Sequence, residues 1–251
     1  MWDWPVYGWI NLVDKVKRYY AFSANELIGL AAAIFSMAFI LSFRDISSSI
    51  DPLLWVKTLL PAILIMALAL IVHLSAQRIY SLEQGFKAEF TPWFIGIILG
   101  VLIAIMSYGY VILLLPGGIV MHLLETHRVG YFRYRLGYWT QGFTALTGPL
   151  ASMLLAFFFE VMSFLPSPLI HQAVIANVLL AVCSMLPFPP LDGSRVLIAA
   201  QGLYFFSFGA IASAGLFLIF AKVGIIFSIL GGIVVGTASL LLYNHVLKKF
   251  F

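Results

Sequence analysis

Leu186-Pro187-Phe188-Pro189-Pro190-Leu191-Asp192-Gly193 interrupts an otherwise apolar region. A helix does not run through three closely spaced prolines, because proline lacks an N–H and its ring clashes with the preceding turn. Yet residues 171–187 before the break, and 197–221 and 223–243 after it, are strongly apolar. Pro and Asp-Gly also favour a plain turn. A carboxylate set directly after a broken apolar helix is more informative than a turn, since ionisable groups are costly in lipid.

Moving outward, residues 25–43, 54–74 and 141–164 are also long enough and apolar enough to cross a bilayer, which takes about 20 residues of helix. Composition agrees. Of 251 residues, 63% are apolar and 10% charged, against about 25% charged in a soluble domain. Mean hydropathy is +1.05. The expected fold is an all-α integral membrane protein with about six transmembrane helices. A single cysteine, Cys183, excludes a disulfide framework and a cysteine zinc cluster. A net charge of +4, spread along the chain, gives no reason to expect nucleic acid as a partner. Residues 1–24 lack the basic start and apolar core of a cleavable signal. They mix Trp2, Trp4, Tyr7, Trp9 and Ile10 with Lys15, Lys17 and Arg18, the pattern of an interfacial segment whose partner is membrane lipid. Residues 25–251 show no linker or repeat and read as one multi-pass domain.

The stretch 93–121 is apolar too, and loop charges decide how it runs. If it crosses the membrane once, with a cytoplasmic N-terminus, six Lys and Arg fall inside and eight outside. If it dips in and returns, 11 fall inside and only Arg44, Lys57 and Lys222 outside. The second arrangement obeys the positive-inside rule. It predicts a re-entrant or sheet-like insertion and cytoplasmic N- and C-termini. A reporter fused near Arg133 is expected on the cytoplasmic side.

Few polar groups lie within the spans. His73 and Gln77, four residues apart, share a helix face. Gly148-Pro149 opens a later span, and Asp192 follows the proline break. The returning arrangement puts His73 and Asp192 near the same face; the crossing one separates them. Each has a plain reading as well: an interfacial histidine, a packing notch, a turn. Glu160 and His171 flank one loop and read as interfacial, and Gly231, Gly232 and Gly236 as a small-residue packing face.

These residues together resemble the site-2 protease family of intramembrane zinc metalloproteases, in its prokaryotic branch. The family pattern is His-Glu-x-x-His on one helix, Gly-Pro-x-x-Asn on a later one, and Asn-x-x-Pro-x-x-Pro-Leu-Asp-Gly closing the next. Leu186 to Gly193 matches the last motif closely, and Gly148-Pro149 the middle one. Ala88-Glu89-Phe90 and Pro116-Gly117-Gly118 resemble further features of that branch. The likeness covers about residues 54–200, a family-like core. It implies a helical bundle in a cell membrane, zinc as cofactor, His73 and Asp192 at metal-ligand positions, and a substrate groove near Gly148, Pro149, Ser152, Ser184, Pro187, Pro190 and Gly193.

The chemistry of the pattern is altered. Gln77 stands at the second histidine and Leu74 at the general base; Ser152 and Ser184 replace the two asparagines. A catalytic zinc needs three protein ligands and an open position, and a base to take a proton from the bound water. Leucine accepts no proton, and a glutamine amide is a poor zinc ligand. Candidate replacements elsewhere are Glu83, His122, His127 and Cys183. The expectation is a non-catalytic pseudoprotease that binds transmembrane segments, with zinc absent or weakly held. The alternatives are an active or atypical zinc endopeptidase, and a transporter or channel. The last would call for paired broken helices in two related halves, and one broken span is present.

Overall fold

The computed structural model describes residues 4–47, 52–124, 137–162, 168–221 and 224–246. His127, Arg128, Arg133, Arg135, Lys222, Lys248 and Lys249 lie outside them. The expected all-α membrane architecture is what is found. The helices are α1 (Trp4–Tyr19), α2 (Ala24–Ser47), α3 (Pro52–Glu83), α4 (Phe94–Met106), α5 (Tyr138–Val161), α6 (Pro168–Ser184), α7 (Asp192–Ala199), α8 (Gln201–Leu216) and α9 (Ile225–His245). Strands β1 (Phe86–Pro92) and β2 (Gly117–Leu123) form one hairpin-like sheet around α4.

Among the described residues five helices have the length and apolarity of a crossing: α2, α3, α5, α9, and α8 together with the π-helical turn that continues it, Gln201–Phe220. The sixth expected span is α6, whose 17 residues sit at the lower limit for a bilayer. It stops at Ser184, three residues short of Pro187, since helices usually end at or before the residue preceding a proline. In contrast, α3 runs nine residues past its expected end at 74. The polar side chains beyond that point, Gln77, Arg78 and Ser81, are all buried and bonded, so the helix continues inside the protein.

The insertion is wider than 93–121. It begins with Phe86-Lys87-Ala88-Glu89-Phe90, whose strict apolar–charged alternation is strand-like. The strands are antiparallel, with Phe86 opposite Leu123 and Pro92 opposite Gly117. The chain therefore leaves the end of α3, passes through α4, and returns to where it left.

Two apolar clusters build the core. One joins α2, α3, both strands, α4 and one face of α6. The other joins α5, α6, α7 and α8. Helices α3, α5 and α7 meet between them.

The glycines of α9 pack within the chain. A side chain at Gly236 would meet the Phe206 carbonyl oxygen at 2.8 Å and Ala210 Cβ at 2.9 Å, so α8 and α9 touch backbone to backbone. Gly236→Leu is expected to separate the two helices and cost about 1–3 kcal/mol, the range for overpacking. Thermal unfolding in detergent checks it; an unchanged midpoint would mean that α9 is not held by this contact.

Candidate active site

The site grows from Pro149. Proline inside α5 has no N–H to give the carbonyl four residues earlier. That carbonyl belongs to Ala145, and the Gln77 amide nitrogen donates to it at 3.2 Å. Gly148, one residue before, allows α3 to come this close. A Cβ there would collide with the His73 and Gln77 side chains.

His73, one turn before Gln77, connects α5 to α7. Its Nε2 lies 2.9 Å from Asp192 Oδ2, and its Nδ1 2.9 Å from Ser152 Oγ. A carboxylate accepts, so the Nε2–H donates to Asp192, and in the neutral ring Nδ1 accepts the Ser152 hydroxyl. The Gln77 nitrogen is 3.4 Å from that same Nε2. Two donors facing each other make no bond, so the Ala145 carbonyl is the partner of the Gln77 amide. His73, Gln77, Ser152 and Asp192 are each at most 3% exposed. Asp192 is the first residue of α7, where the helix dipole favours a negative charge. Two acceptors remain without a partner, Gln77 Oε1 and Asp192 Oδ1.

Five predicted site residues thus come together: His73, Gln77, Gly148, Ser152 and Asp192. The others play different parts. Ser184 is buried and donates to the Ala181 carbonyl at 3.0 Å. Gly193 is pressed against the backbone of Met185 and Leu186, where a Cβ would not fit. Pro187 is exposed beside Phe188, and Pro190 is half-buried in a cis bond after Pro189. His127 lies outside the described residues, and the other three candidate substitutes do not reach the site. Cys183 is in the first apolar cluster, His122 faces Glu89 across the sheet, and Glu83 ends α3 beside α1. Leu74 is 3% exposed and packed into the same apolar cluster as Cys183.

The family's zinc is not matched by these residues. Among the described residues no third His, Cys, Asp or Glu joins His73 and Asp192. The two that remain bond to each other. The orphaned oxygens of Gln77 and Asp192 offer a cation only an amide and a carboxylate beside the imidazole, a harder and poorer set than two imidazoles and a carboxylate. Ser152, His73 and Asp192 do form a serine–histidine–aspartate chain. However, Ser152 lies inside α5, where backbone N–H groups are spent on the helix and none is left to stabilise an oxyanion.

The chain is similar to a protein of Methanocaldococcus jannaschii named "Putative zinc metalloprotease", with 28% identity over 184 residues, 71% of this chain and 86% of the relative. That likeness supports a metalloprotease family. No family model matches the chain. No solved structure matches it.

The sheet above the site carries its own charges. Lys87 Nζ is 2.7 Å from Glu89 Oε1. The hydrogen bond from Lys87 holds the Glu89 carboxyl below the usual carboxylate range, and the charges of Lys87, His122 and Arg78 act in the same direction against partial burial. A carboxyl whose pKa is lowered on folding stabilises the fold above its unfolded value. That contribution is lost as pH falls through the lowered one. Exchange protection of β1 is therefore expected to persist at neutral pH and to weaken only below the usual carboxylate range. Glu89→Gln should remove that acid-side loss; an unaltered profile in the variant would assign it to another group.

Proposed function

We propose that this protein is a site-2-protease-like membrane protein that binds transmembrane segments without cutting them. The mutual hydrogen bond of His73 and Asp192 carries the reading. The two residues at metal-ligand positions satisfy each other, with Gln77 turned to a backbone carbonyl and Leu74 buried in apolar core. The scaffold around them fits the family pattern: the Gly148-Pro149 notch, the proline break, and the sheet between α3 and α5. An extended or partly unwound segment would meet the chain at the exposed Pro187–Phe188 corner, next to Asp192 along the chain.

The test uses the full chain in proteoliposomes, with a photocrosslinker at Phe188 and a panel of single-span membrane proteins. Crosslinked, uncut partners are expected, and a zinc chelator should change nothing. Chelator-sensitive cleavage would overturn the proposal in favour of an atypical zinc endopeptidase, the reading that the name of the archaeal relative favours.

A further inference from the structure

Helix α1 and the end of α3 enclose a groove of about 390 Å³ lined by Gly8, Trp9, Asn11, Leu12, Lys15 and Glu83. That is within the about 300–1,000 Å³ of small-molecule sites. Its two charged residues are of opposite sign and face the same space, yet among the described ion pairs none joins Lys15 to Glu83. Glu83 is also the last residue of α3, so the negative end of the helix dipole adds to its charge. Trp9 and Ile10 are exposed at the groove, and Lys17 and Arg18 follow about two turns later. Aromatic, apolar and basic groups in that order mark a helix lying at headgroup depth.

We infer that this groove binds the headgroup of a zwitterionic phospholipid of the ethanolamine type, with the phosphate at Lys15 and the ammonium at Glu83. A lone anion in the groove would meet the Glu83 carboxylate, and a lone cation would meet the Lys15 ammonium. A ligand with both charges two carbons apart satisfies both walls. Trp9 and Leu12 line the same groove, an indole that can attract an ammonium and apolar surface for the glycerol. Burial pushes the Lys15 ammonium below its usual pKa, with Glu83 acting the other way. Its charge is thus partly stripped of water without being paired, and a phosphate would relieve that.

Native mass spectrometry of the delipidated full chain tests this, with phosphatidylethanolamine and phosphatidylglycerol of identical acyl chains. The natural chain is expected to retain the ethanolamine lipid about threefold over the glycerol lipid, the scale of a partly exposed charge pair. Glu83→Gln should equalise the two, and Lys15→Gln should weaken both. Lys17→Gln, on the far side of α1, should leave the preference intact. Equal or stronger binding of phosphatidylglycerol by the natural chain would overturn the inference, leaving a groove for anionic lipid. So would a preference that survives Glu83→Gln, or one that Lys17→Gln also abolishes. Size-exclusion profiles of the variants show that each remains folded.

Discussion

A chain carrying Gln77→His is expected to purify with about one zinc per molecule, where the natural chain holds less than about a tenth of that at the same metal concentration. The substitution needs no rearrangement of the backbone. Position 77 is one turn from His73 on a buried face of α3, and Gly148 keeps the opposite wall of α5 clear. The Ala145 carbonyl, freed by Pro149, now receives the Gln77 amide. With histidine there it would receive one ring N–H and direct the other nitrogen toward His73 and Asp192. Metal-bound histidines are held in this way by a carbonyl or carboxylate on their second nitrogen, and losing that partner costs about 10–100-fold in affinity. The acceptor is thus already in place for a ligand that the sequence does not supply.

Elemental mass spectrometry of the natural chain, Gln77→His, and Gln77→His with His73→Ala decides the matter. About one zinc in Gln77→His, lost again in the double variant, would show that a single missing imidazole separates this site from a metal centre. About one zinc in the natural chain would mean that Gln77 Oε1 serves as the third ligand, and the chelator-sensitive cleavage test would then decide whether that metal does any chemistry. Gln77→His alone is expected to cut nothing, because Leu74 offers no base. Adding Leu74→Glu supplies the carboxylate but puts it in the apolar cluster around Leu70 and Leu74. Metal, base and fold make separate demands, so on the proposed reading no single substitution is expected to bring about hydrolysis.

Which parts of this were legible beforehand follows from the physics of each signal. Crossing helices are composition written over 20 residues, and all six appear as helices, but α3 overruns its expected end by nine residues and the stretch 197–221 is divided at Ala200 between α7 and α8. The meeting of His73 with Asp192, 119 residues apart, followed from counting loop charges, because only the returning arrangement put them near one face. Their bond to each other did not follow, since a motif names positions and not partners. Gln77 reads as a failed ligand in the sequence. Its actual partner was recoverable from Pro149, because a proline within a helix always frees the carbonyl four residues back. The start of the sheet was equally readable in the alternation from Phe86 to Phe90. Ser23-Ala24-Asn25-Glu26 has the form of a capping box. In the structure Ser23 N–H donates to Glu26 Oε2 at 2.8 Å, and Glu26 N–H to Ser23 Oγ at 3.3 Å. What no local pattern reveals is the other oxygen of Glu26, which is bonded to Arg78, 52 residues away.

That pair supports the second large effect. Arg78→Met is expected to destabilise the protein by about 3–5 kcal/mol, the cost of leaving a buried charge without its partner. Arg78 and Glu26 are 2% and 5% exposed. The guanidinium donates to Glu26, to the Tyr20 carbonyl at 2.9 Å and to the Ala21 carbonyl at 3.3 Å, and lies 3.9 Å over the Phe22 ring. Glu26 Oε1 also accepts the Phe90 N–H at 2.7 Å. One ion pair therefore fastens the α1–α2 link, α3 and β1 together. The consequence reaches the site through the sheet, because β1 carries β2, and Gly118 of β2 packs so closely on the Pro190 carbonyl that no Cβ fits between them. Pro190 stands two residues before Asp192. Thermal unfolding in detergent should show a fall of about 10 °C, with loss of exchange protection in β1. Glu26→Gln combined with Arg78→Met should recover part of that fall, since the stranded charge is removed and the two changes share one interaction. A fall of under about 2 °C in the single variant would mean that water reaches the guanidinium's place. Additive losses in the double variant would mean that Arg78 acts through its bonds to the Tyr20 and Ala21 carbonyls, with the carboxylate held by Ser23 and Phe90 alone.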